Sequence, residues 1–238
     1  MEPRSFQLQF KSTDPAWQEV VDQLSAADAK APNGMVILVE IGPTALEDPR
    51  ATKASLDKLA PNHAAMLDTW SQHAAILNSA GFTKLGVKHQ EPDPLGGRLV
   101  RSADGRLTGV VYEYARFRLD RRRSDMATDA EALRQTQDFF SQAVRFGITS
   151  VQNMSMSTGP ERCELLYEKA PTPIRMRVIR MPETTPQGRD MVEGCSLPRN
   201  PTALITVRGT KGVLDGTLSR VQRPCENRTV TIAVIQAA

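Results

Sequence analysis

The hydrophobic positions near the start of the chain change from a helical period to a strand-like one. Apolar residues at helical spacing predict a first helix, with Asp14 and Pro15 at its start and its end near residue 30. The apolar, β-branched run 35–39 follows and predicts a buried strand. The pattern then predicts a short helix and another strand, over 55–60 and 66–70.

Residues 71–81 form the first stretch with candidate chemistry. Ser71 is a suitable N-cap and Gly81 a suitable C-terminal stop, so we predict a helix between them. His73 then falls in the first turn of a helix that directly follows a strand. A neutral imidazole there can face a cleft, but a half-exposed surface histidine also fits this spacing.

A turn signal lies between two strand-like runs further along the chain. The runs 98–101 and 106–112 flank Ala103-Asp104-Gly105, and a turn containing Asp-Gly between such runs predicts a β-hairpin. This pattern concerns architecture and carries no chemistry.

Helices and strands alternate after residue 125. A helix is predicted over 128–146, started by Thr128 or Asp129 with Glu131 in its first turn. Its predicted inward face consists of Ala132, Leu133, Phe139, Phe140, Ala143 and Val144. A second helix is predicted over 160–170, and strands are predicted near 148–152, 174–180 and 204–211. This alternation favours parallel β/α units.

The last predicted strand leads into the stretch 206–217, which carries the main chemical candidate. Lys211 stands where the strand is predicted to end, and in a β/α barrel that end faces the reaction site. A solvated strand-end lysine is the alternative reading. Asp215 stands between Leu214 and Gly216, where an aspartate is commonly a turn residue, so it is not taken as a catalytic candidate.

Composition excludes several classes of function. The 238 residues carry a formal charge of +3 with acidic and basic residues mixed, which does not form a nucleic-acid footprint. No run approaches the roughly 18 apolar residues of a membrane span, and the N-terminus lacks a signal-peptide core. Three widely separated cysteines favour reduced thiols, so we expect a cytoplasmic protein.

Short motifs in a consistent order resemble amidohydrolase family 3, the metal-dependent hydrolases of the amidohydrolase superfamily. They include Gly209-Thr210-Lys211 with Asp215-Gly216-Thr217, together with segments at 40–43, 73–79, 96–98, 104–109, 147–152 and 171–175. The resemblance implies an α/β fold: an α+β insertion subdomain over 1–125 and a partial TIM-type (β/α) barrel over 126–217. Residues 218–238 match nothing in the family and form an atypical tail.

The resemblance also implies a chemistry. It makes Lys211 a metal ligand, through carbamylation of its amine, and places His73 on the substrate side. The reaction would be hydrolysis of amide-type C–N bonds in a small-molecule substrate of the N-substituted amide or formamide class. A divalent metal, with zinc as the first choice, would activate water. No catalytic residue is assigned.

The chain departs from the family in its histidines. His63, His73 and His89 form no His-x-His pair, which the family places on the first barrel strand. We therefore expect an interior fragment of a larger hydrolase that retains no catalytic metal and is inactive by itself. The alternative is a non-catalytic folded remnant or a partner-binding module. Open barrel edges further predict self-association, and neither nucleic acid nor a membrane is an expected partner.

Overall fold

The computed structural model describes residues 5–154, 157–190 and 196–212. Its larger sheet contains β1 Ser5–Leu8, β2 Val36–Ile41, β3 Ala64–Thr69, β4 Ala74–Leu77, β5 Gly97–Arg101 and β6 Leu107–Glu113. The spatial order is β1-β2-β3-β4-β6-β5. The first three strands are parallel, whereas β4, β5 and β6 pair antiparallel, so the sheet is mixed.

Helices cover this sheet because their apolar faces pack against it. They are α1 Trp17–Lys30, α2 Pro43–Leu46, α3 Lys53–Leu59, α4 Ser79–Lys84 and α5 Tyr114–Asp125. The predicted stripe of α1 is confirmed, since Trp17, Val20 and Leu24 are all buried in one cluster with β2 and β3. Asp14 does not cap this helix as predicted. Its carboxylate instead accepts hydrogen bonds from the Thr44 amide, at 2.9 Å, and from the Thr44 hydroxyl, at 2.8 Å.

The predicted helix over 71–81 is wrong. All four residues of β4 are buried, and the strand pairs with β3 on one side and β6 on the other. Tertiary pairing therefore overrides the helical propensity of this alanine- and leucine-containing run. The helix begins only at Ser79, with Asn78 as its N-cap. His73 consequently lies in the turn between β3 and β4.

Asn78 connects four backbone groups where β4 meets α4. Its Oδ1 accepts hydrogen bonds from the amides of Ala65, at 2.9 Å, and Gly81, at 2.7 Å. Its Nδ2 donates to the carbonyls of Ala60, at 3.1 Å, and His63, at 2.8 Å. The side chain is 1% exposed, so these four groups depend on it rather than on water.

Helix α5 is held to the sheet by buried charge. Arg116 is 1% exposed, and its Nε donates to Asp68 Oδ1 on β3 at 2.9 Å. The same guanidinium pairs with Asp120 one turn along, and Arg123 donates to the second oxygen of Asp120 at 3.1 Å. Because charged residues lie on its inward face, this helix has no clear hydrophobic pattern and could not be predicted from the sequence.

The predicted hairpin is confirmed, since β5 and β6 pair antiparallel around the Asp104-Gly105 turn. Gly105 has a φ of 82°, a conformation that glycine adopts without steric cost. Asp104 accepts hydrogen bonds from Ser102, and at 2.6 Å from Arg106 Nε.

These hydrogen bonds predict an unusually low pKa for the Asp104 carboxyl. The Ser102 hydroxyl, and after it Arg106, lower the pKa of the Asp104 carboxyl from 3.8 to about 2. Because the folded-state pKa is lowered, the stabilisation is present above pH 3.8 and disappears as the pH falls through about 2. A carbonyl-detected NMR titration should show this midpoint, and Ser102→Ala should move it toward 3.8. An unchanged midpoint in that variant would contradict the assigned cause.

A second, three-stranded sheet follows. It contains β7 Ser150–Asn153, β8 Arg175–Arg180 and, after the short pair β9 Thr184–Thr185 and β10 Gly188–Arg189, β11 Ile205–Thr210. The order is β11-β8-β7, and both pairings are parallel, as predicted. Helices α6 Asp129–Arg145 and α7 Pro160–Lys169 pack on it. The fold is thus mixed α/β, and this topology does not confirm a partial TIM barrel.

Helix α6 begins as the sequence predicts but turns a narrower face inward. Thr128 and Glu131 form a reciprocal capping box at its start. Phe140 is buried, whereas Phe139 and Val144, predicted to face inward, are 52% and 50% exposed.

The predicted boundary between 1–125 and 126–217 stays a prediction. The tail 218–238 and Asp215 lie outside the described residues. In the described ranges, no helix is long and apolar enough to cross a membrane.

Candidate functional site

Lys211 follows the last residue of β11, at the carboxyl end of the parallel sheet. Its amide donates to the Arg180 carbonyl at 2.7 Å, which extends the pairing of Thr210 with Arg180 by one step. The residue is half-buried. Its ammonium forms no ion pair with any residue that the structure describes. Strand pairing therefore holds the backbone of Lys211 while its amine remains available.

His73 lies at the end of the larger sheet, in the turn between β3 and β4. Its Nδ1 is 2.7 Å from Glu113 Oε2, and the Glu113 amide donates to the His73 carbonyl at 2.8 Å. The ring also meets Phe117 edge-on, with 5.5 Å between ring centroids. Backbone, carboxylate and aromatic contacts together hold the imidazole in one orientation.

Glu113 is in an unusual conformation for a residue with a side chain. It joins β6 to α5 with a φ of 51°, a region that non-glycine residues seldom adopt. Its Oε1 is buried and has no hydrogen-bond partner among the described residues. A strained backbone and an unpaired carboxylate oxygen both raise the energy of the folded state, and such costs concentrate at functional sites.

A second histidine, His63, provides a comparison with His73, because its imidazole has a structural role. His63 Nδ1 lies 2.9 Å from Asp28 Oδ1, and its Nε2 lies 3.2 Å from the Pro32 carbonyl. Both ring nitrogens are therefore occupied. In His73 only Nδ1 has a partner within the described part of the chain, so Nε2 is free to bind another group.

This difference predicts a single tautomer for His73. Donation from Nδ1 to Glu113 leaves Nε2 unprotonated in the neutral ring. Nitrogen-15 NMR of the neutral ring should show this form, and Glu113→Ala should replace it with a tautomer mixture while the His63 signals stay unchanged. Detection of the neutral Nε2–H tautomer in the unmodified chain would contradict the arrangement.

Arg189 on β10 approaches Gly212, the residue after Lys211. Its Nη2 donates to the Tyr114 hydroxyl, and its Cζ lies 5.3 Å from the centre of the Tyr114 ring. Gly212 packs so closely on the same guanidinium that an added Cβ would overlap Nη1. Arg189 thus links the first turn of α5 to the residue after Lys211.

Tyr114 also joins the two halves of the candidate site. Its ring meets Phe117 edge-on at 5.6 Å, and Phe117 in turn contacts His73. Within the described ranges, no hydrogen bond or ion pair joins His73 to Lys211 directly. The connection between them is indirect. His73 contacts Phe117, and Phe117 contacts Tyr114. Tyr114 contacts Arg189, which lies against Gly212, the residue after Lys211.

Comparison with known proteins decides the family. The sequence model of a family described as the amidohydrolase family matches residues 7–227. The chain belongs to the amidohydrolase family.

Two curated relatives match shorter parts of this amidohydrolase chain. YtcJ of Bacillus subtilis (strain 168), named as an amidohydrolase, is 38% identical over 64 residues, which are 27% of this chain and 12% of YtcJ. N-substituted formamide deformylase of Arthrobacter pascens is 36% identical over 69 residues, which are 29% of this chain and 13% of that enzyme. The matched segments thus span a small part of each relative.

A solved structure supports the fold. An uncharacterised metal-dependent hydrolase from Pyrococcus horikoshii OT3 superposes with a TM-score of 0.51 at 16% sequence identity. The alignment covers 87% of this chain and 38% of that protein. The amidohydrolase chain therefore shares the fold of a segment shorter than half of the solved hydrolase.

The described residues of this amidohydrolase chain do not fit a complete metal site. In residues 5–154, 157–190 and 196–212, no group of three or more His, Cys, Asp and Glu side chains is placed to hold a metal ion. A catalytic zinc usually takes three protein ligands, and Lys211 would supply only one.

Sequence reasoning missed Glu113 and Arg189 for different reasons. Glu113 directly follows a predicted strand, and its position opposite His73 becomes visible only once β4 is paired with β6. Arg189 lies in the proline-rich stretch 181–201, which carries no periodic signal. A search for polar residues at strand ends would have found the first but not the second.

Proposed function

We propose that this chain is part of a metal-dependent hydrolase that cleaves amide-type C–N bonds in small molecules. The observation that carries the proposal is the position of Lys211 at the carboxyl end of a parallel strand, where sites assemble on β/α barrels. Membership of the amidohydrolase family supports the reaction type. The name of the Arthrobacter relative supports N-substituted formamides as the first substrates to test.

In this proposal the three-stranded parallel sheet is part of a TIM-type barrel, and the six-stranded sheet is the inserted subdomain. In the complete hydrolase Lys211 would be one of several ligands of a divalent metal, with zinc as the first choice, and its amine must be neutral before it can be carbamylated. Bound metal would lower the pKa of a water molecule and polarise the amide carbonyl. His73 faces the substrate, oriented by Glu113.

The proposed location is the cytoplasm, supported by the wide spacing of Cys163, Cys195 and Cys225 in the sequence. We also propose that the isolated chain self-associates. Phe146 is 81% exposed and Ile148 is 42% exposed beside the edge strand β7, and such edges and patches favour association. Light scattering on the purified chain would show a monomer if this is wrong.

The function is tested with two proteins. One is the 238-residue chain, and the other carries residues 7–212 between the flanking segments of a longer amidohydrolase. Both are supplied with zinc or manganese and bicarbonate, and bound metal and formate release from N-substituted formamides are measured. We expect metal and turnover only in the fused protein, with both reduced by Lys211→Ala.

Two outcomes would overturn parts of the proposal. A folded, metal-loaded fused protein that cleaves none of a panel of amides and formamides would favour a non-catalytic role. Normal metal content in its Lys211→Ala variant would show that Lys211 is not a ligand. The matched control is Lys84→Ala, because Lys84 is exposed on α4 and donates only to the Gly34 carbonyl.

A further inference from the structure

We propose that His73, oriented by Glu113, accepts a hydrogen bond at Nε2 from the N–H group of the substrate amide. The inference rests on the proposed amide hydrolysis and makes it more specific. It assigns the substrates to amides that keep a hydrogen on nitrogen, which are the primary and the N-monosubstituted amides. N,N-disubstituted amides and esters have no such donor and would be poorer ligands.

Backbone strain is concentrated around this imidazole. In the described ranges, two non-glycine residues have a positive φ, Gln72 with 61° and Glu113 with 51°. Gln72 directly precedes His73, and Glu113 contacts both the ring and the carbonyl of His73. Such conformations cost energy and cluster at ligand-binding and active sites. Both strained residues therefore point to the His73 ring as the group whose position is maintained.

Ring contacts distinguish His73 from the other two histidines of the chain. His63 has partners at both ring nitrogens. His89 is exposed, and its ring makes no hydrogen bond with the part of the chain that the structure describes. The His73 side chain is 21% exposed, and its Nε2 has no described partner and is not enclosed. A ligand can therefore reach Nε2 in a ring that is already oriented.

Charge determines which kind of ligand fits at Nε2. Because Nδ1 donates to Glu113, Nε2 of the neutral ring is an acceptor. Glu113 forms no ion pair with a described lysine or arginine, and its Oε1 is buried without a partner among those residues. The carboxylate beside the ring therefore disfavours an anionic ligand. A neutral donor, such as an amide N–H, is the matching group.

Exposed apolar side chains lie at the same end of the larger sheet. Trp70 follows β3 in the turn that leads to His73 and is 54% exposed. Leu95 lies shortly before β5, whose first residue Gly97 pairs with Glu113, and is 42% exposed. An amide bound at Nε2 would place its substituent at this apolar end of the sheet. The test ligand therefore carries an apolar group on nitrogen.

The test measures binding by the 238-residue chain and needs neither metal nor catalysis. N-cyclohexylformamide is compared with cyclohexyl formate, in which an oxygen replaces N–H in a molecule of nearly the same shape. Proton–nitrogen NMR spectra follow the histidine ring nitrogens at about pH 8, above the ordinary histidine pKa of about 6.5. We expect the amide to shift the His73 Nε2 signal upfield, as accepting a hydrogen bond does. It should bind about 3- to 10-fold more tightly than the ester, the range that one hydrogen bond implies.

Two variants and a control separate recognition from folding. His73→Phe keeps an aromatic ring against Phe117 but has no acceptor, so it should bind the amide and the ester equally. Glu113→Ala leaves the His73 ring in place and should reduce the preference, because part of the population then carries its proton on Nε2. The tautomer change should accompany this loss, which a merely structural role of Glu113 would not produce. His89→Phe is the matched control, because His89 is exposed, and it should retain the full preference.

Other results would overturn the inference. They are equal affinity for the amide and the ester, no shift of the His73 signal up to the solubility limit of the amide, or a preference that survives His73→Phe in a folded variant. Tighter binding of Zn²⁺ than of the amide at His73 Nε2 would make this histidine a metal ligand instead. Absence of hydrolysis in the fused protein, with the amide preference intact, would overturn the proposed function alone. Hydrolysis without the preference would overturn this inference alone.

Discussion

Arg116→Met is expected to lower the free energy of unfolding by about 3–5 kcal/mol at pH 7, the usual cost of removing one partner from a buried ion pair. Methionine fills much of the arginine volume, so the loss arises from charge and not from a cavity. The Asp68 and Asp120 side chains, 20% and 8% exposed, would lose the guanidinium that compensates them. Urea unfolding followed by circular dichroism measures the effect.

The effect of this substitution should depend on pH. Burial raises the pKa of the Asp120 carboxyl, while Arg116 and Arg123 oppose that shift. Without Arg116 the shift increases, and a raised folded-state pKa favours the folded protein at low pH and disfavours it as the pH rises. The variant should therefore lose less stability near pH 4 than near pH 7. An equal loss at both pH values would contradict this explanation.

An exposed pair of the same residue types provides the control. Arg106 pairs with Asp104 in the hairpin turn, and its side chain is 76% exposed. Arg106→Met should change the melting temperature very little, because solvent screens such a pair. The triple variant Arg116→Met, Asp68→Asn, Asp120→Asn should recover part of the loss, since it removes the unpaired charges. No recovery would indicate that shape, and not charge, dominates.

Asn78→Ala is expected to cost about 3 kcal/mol, because it leaves buried backbone groups without partners and removes a helix cap. Four hydrogen bonds end on this one side chain, and they involve β3, α4 and the loop between α3 and β3. Hydrogen exchange should show faster exchange of the Ala65 and Gly81 amides, which lose their acceptor. Unfolding by urea gives the overall loss.

Two further variants separate capping from donation. Asn78→Asp keeps the acceptor oxygen for Ala65 and Gly81 but sets a buried carboxylate oxygen against the Ala60 and His63 carbonyls. It should therefore cost at least as much as the alanine variant. Asn62→Ala is the control. Asn62 is exposed, and its side-chain amide donates one hydrogen bond, 2.8 Å long, to Asp28 Oδ2. It should cost about 0.5–1.5 kcal/mol. A larger loss from Asn62→Ala than from Asn78→Ala would contradict the assigned role of Asn78.

Elements whose local signals agree with their tertiary environment could be predicted from the sequence. Helix α6 was found because a capping box and helical spacing coincide, and the hairpin because Asp-Gly separates two strand-like runs. The three parallel strands were found from their alternation with helices. By contrast, β4 was missed because its pairing with β3 and β6 cannot be read from a run that is also compatible with a helix.

The candidate site could be predicted only in part, for a related reason. Lys211 stands at the end of a strand that the sequence indicates, so its place was predictable. The partner of His73 was not, because Glu113 lies 40 residues away and meets it only through strand pairing. The approach of Arg189 to Tyr114 and Gly212 was not predictable either, because these contacts depend on the tertiary structure.

The β5–β6 hairpin should form before the parallel pairings of either sheet, because it closes the shorter loop. It pairs Arg101 with Leu107, close in sequence, whereas Val36 must find Ser5, and Ile205 must find Met176, across long intervening chain. Hairpins form within about 1–10 μs, and distant parallel pairings are slower since loop closure comes first. The strand end that carries Lys211 would then become ordered after the β5–β6 hairpin during refolding.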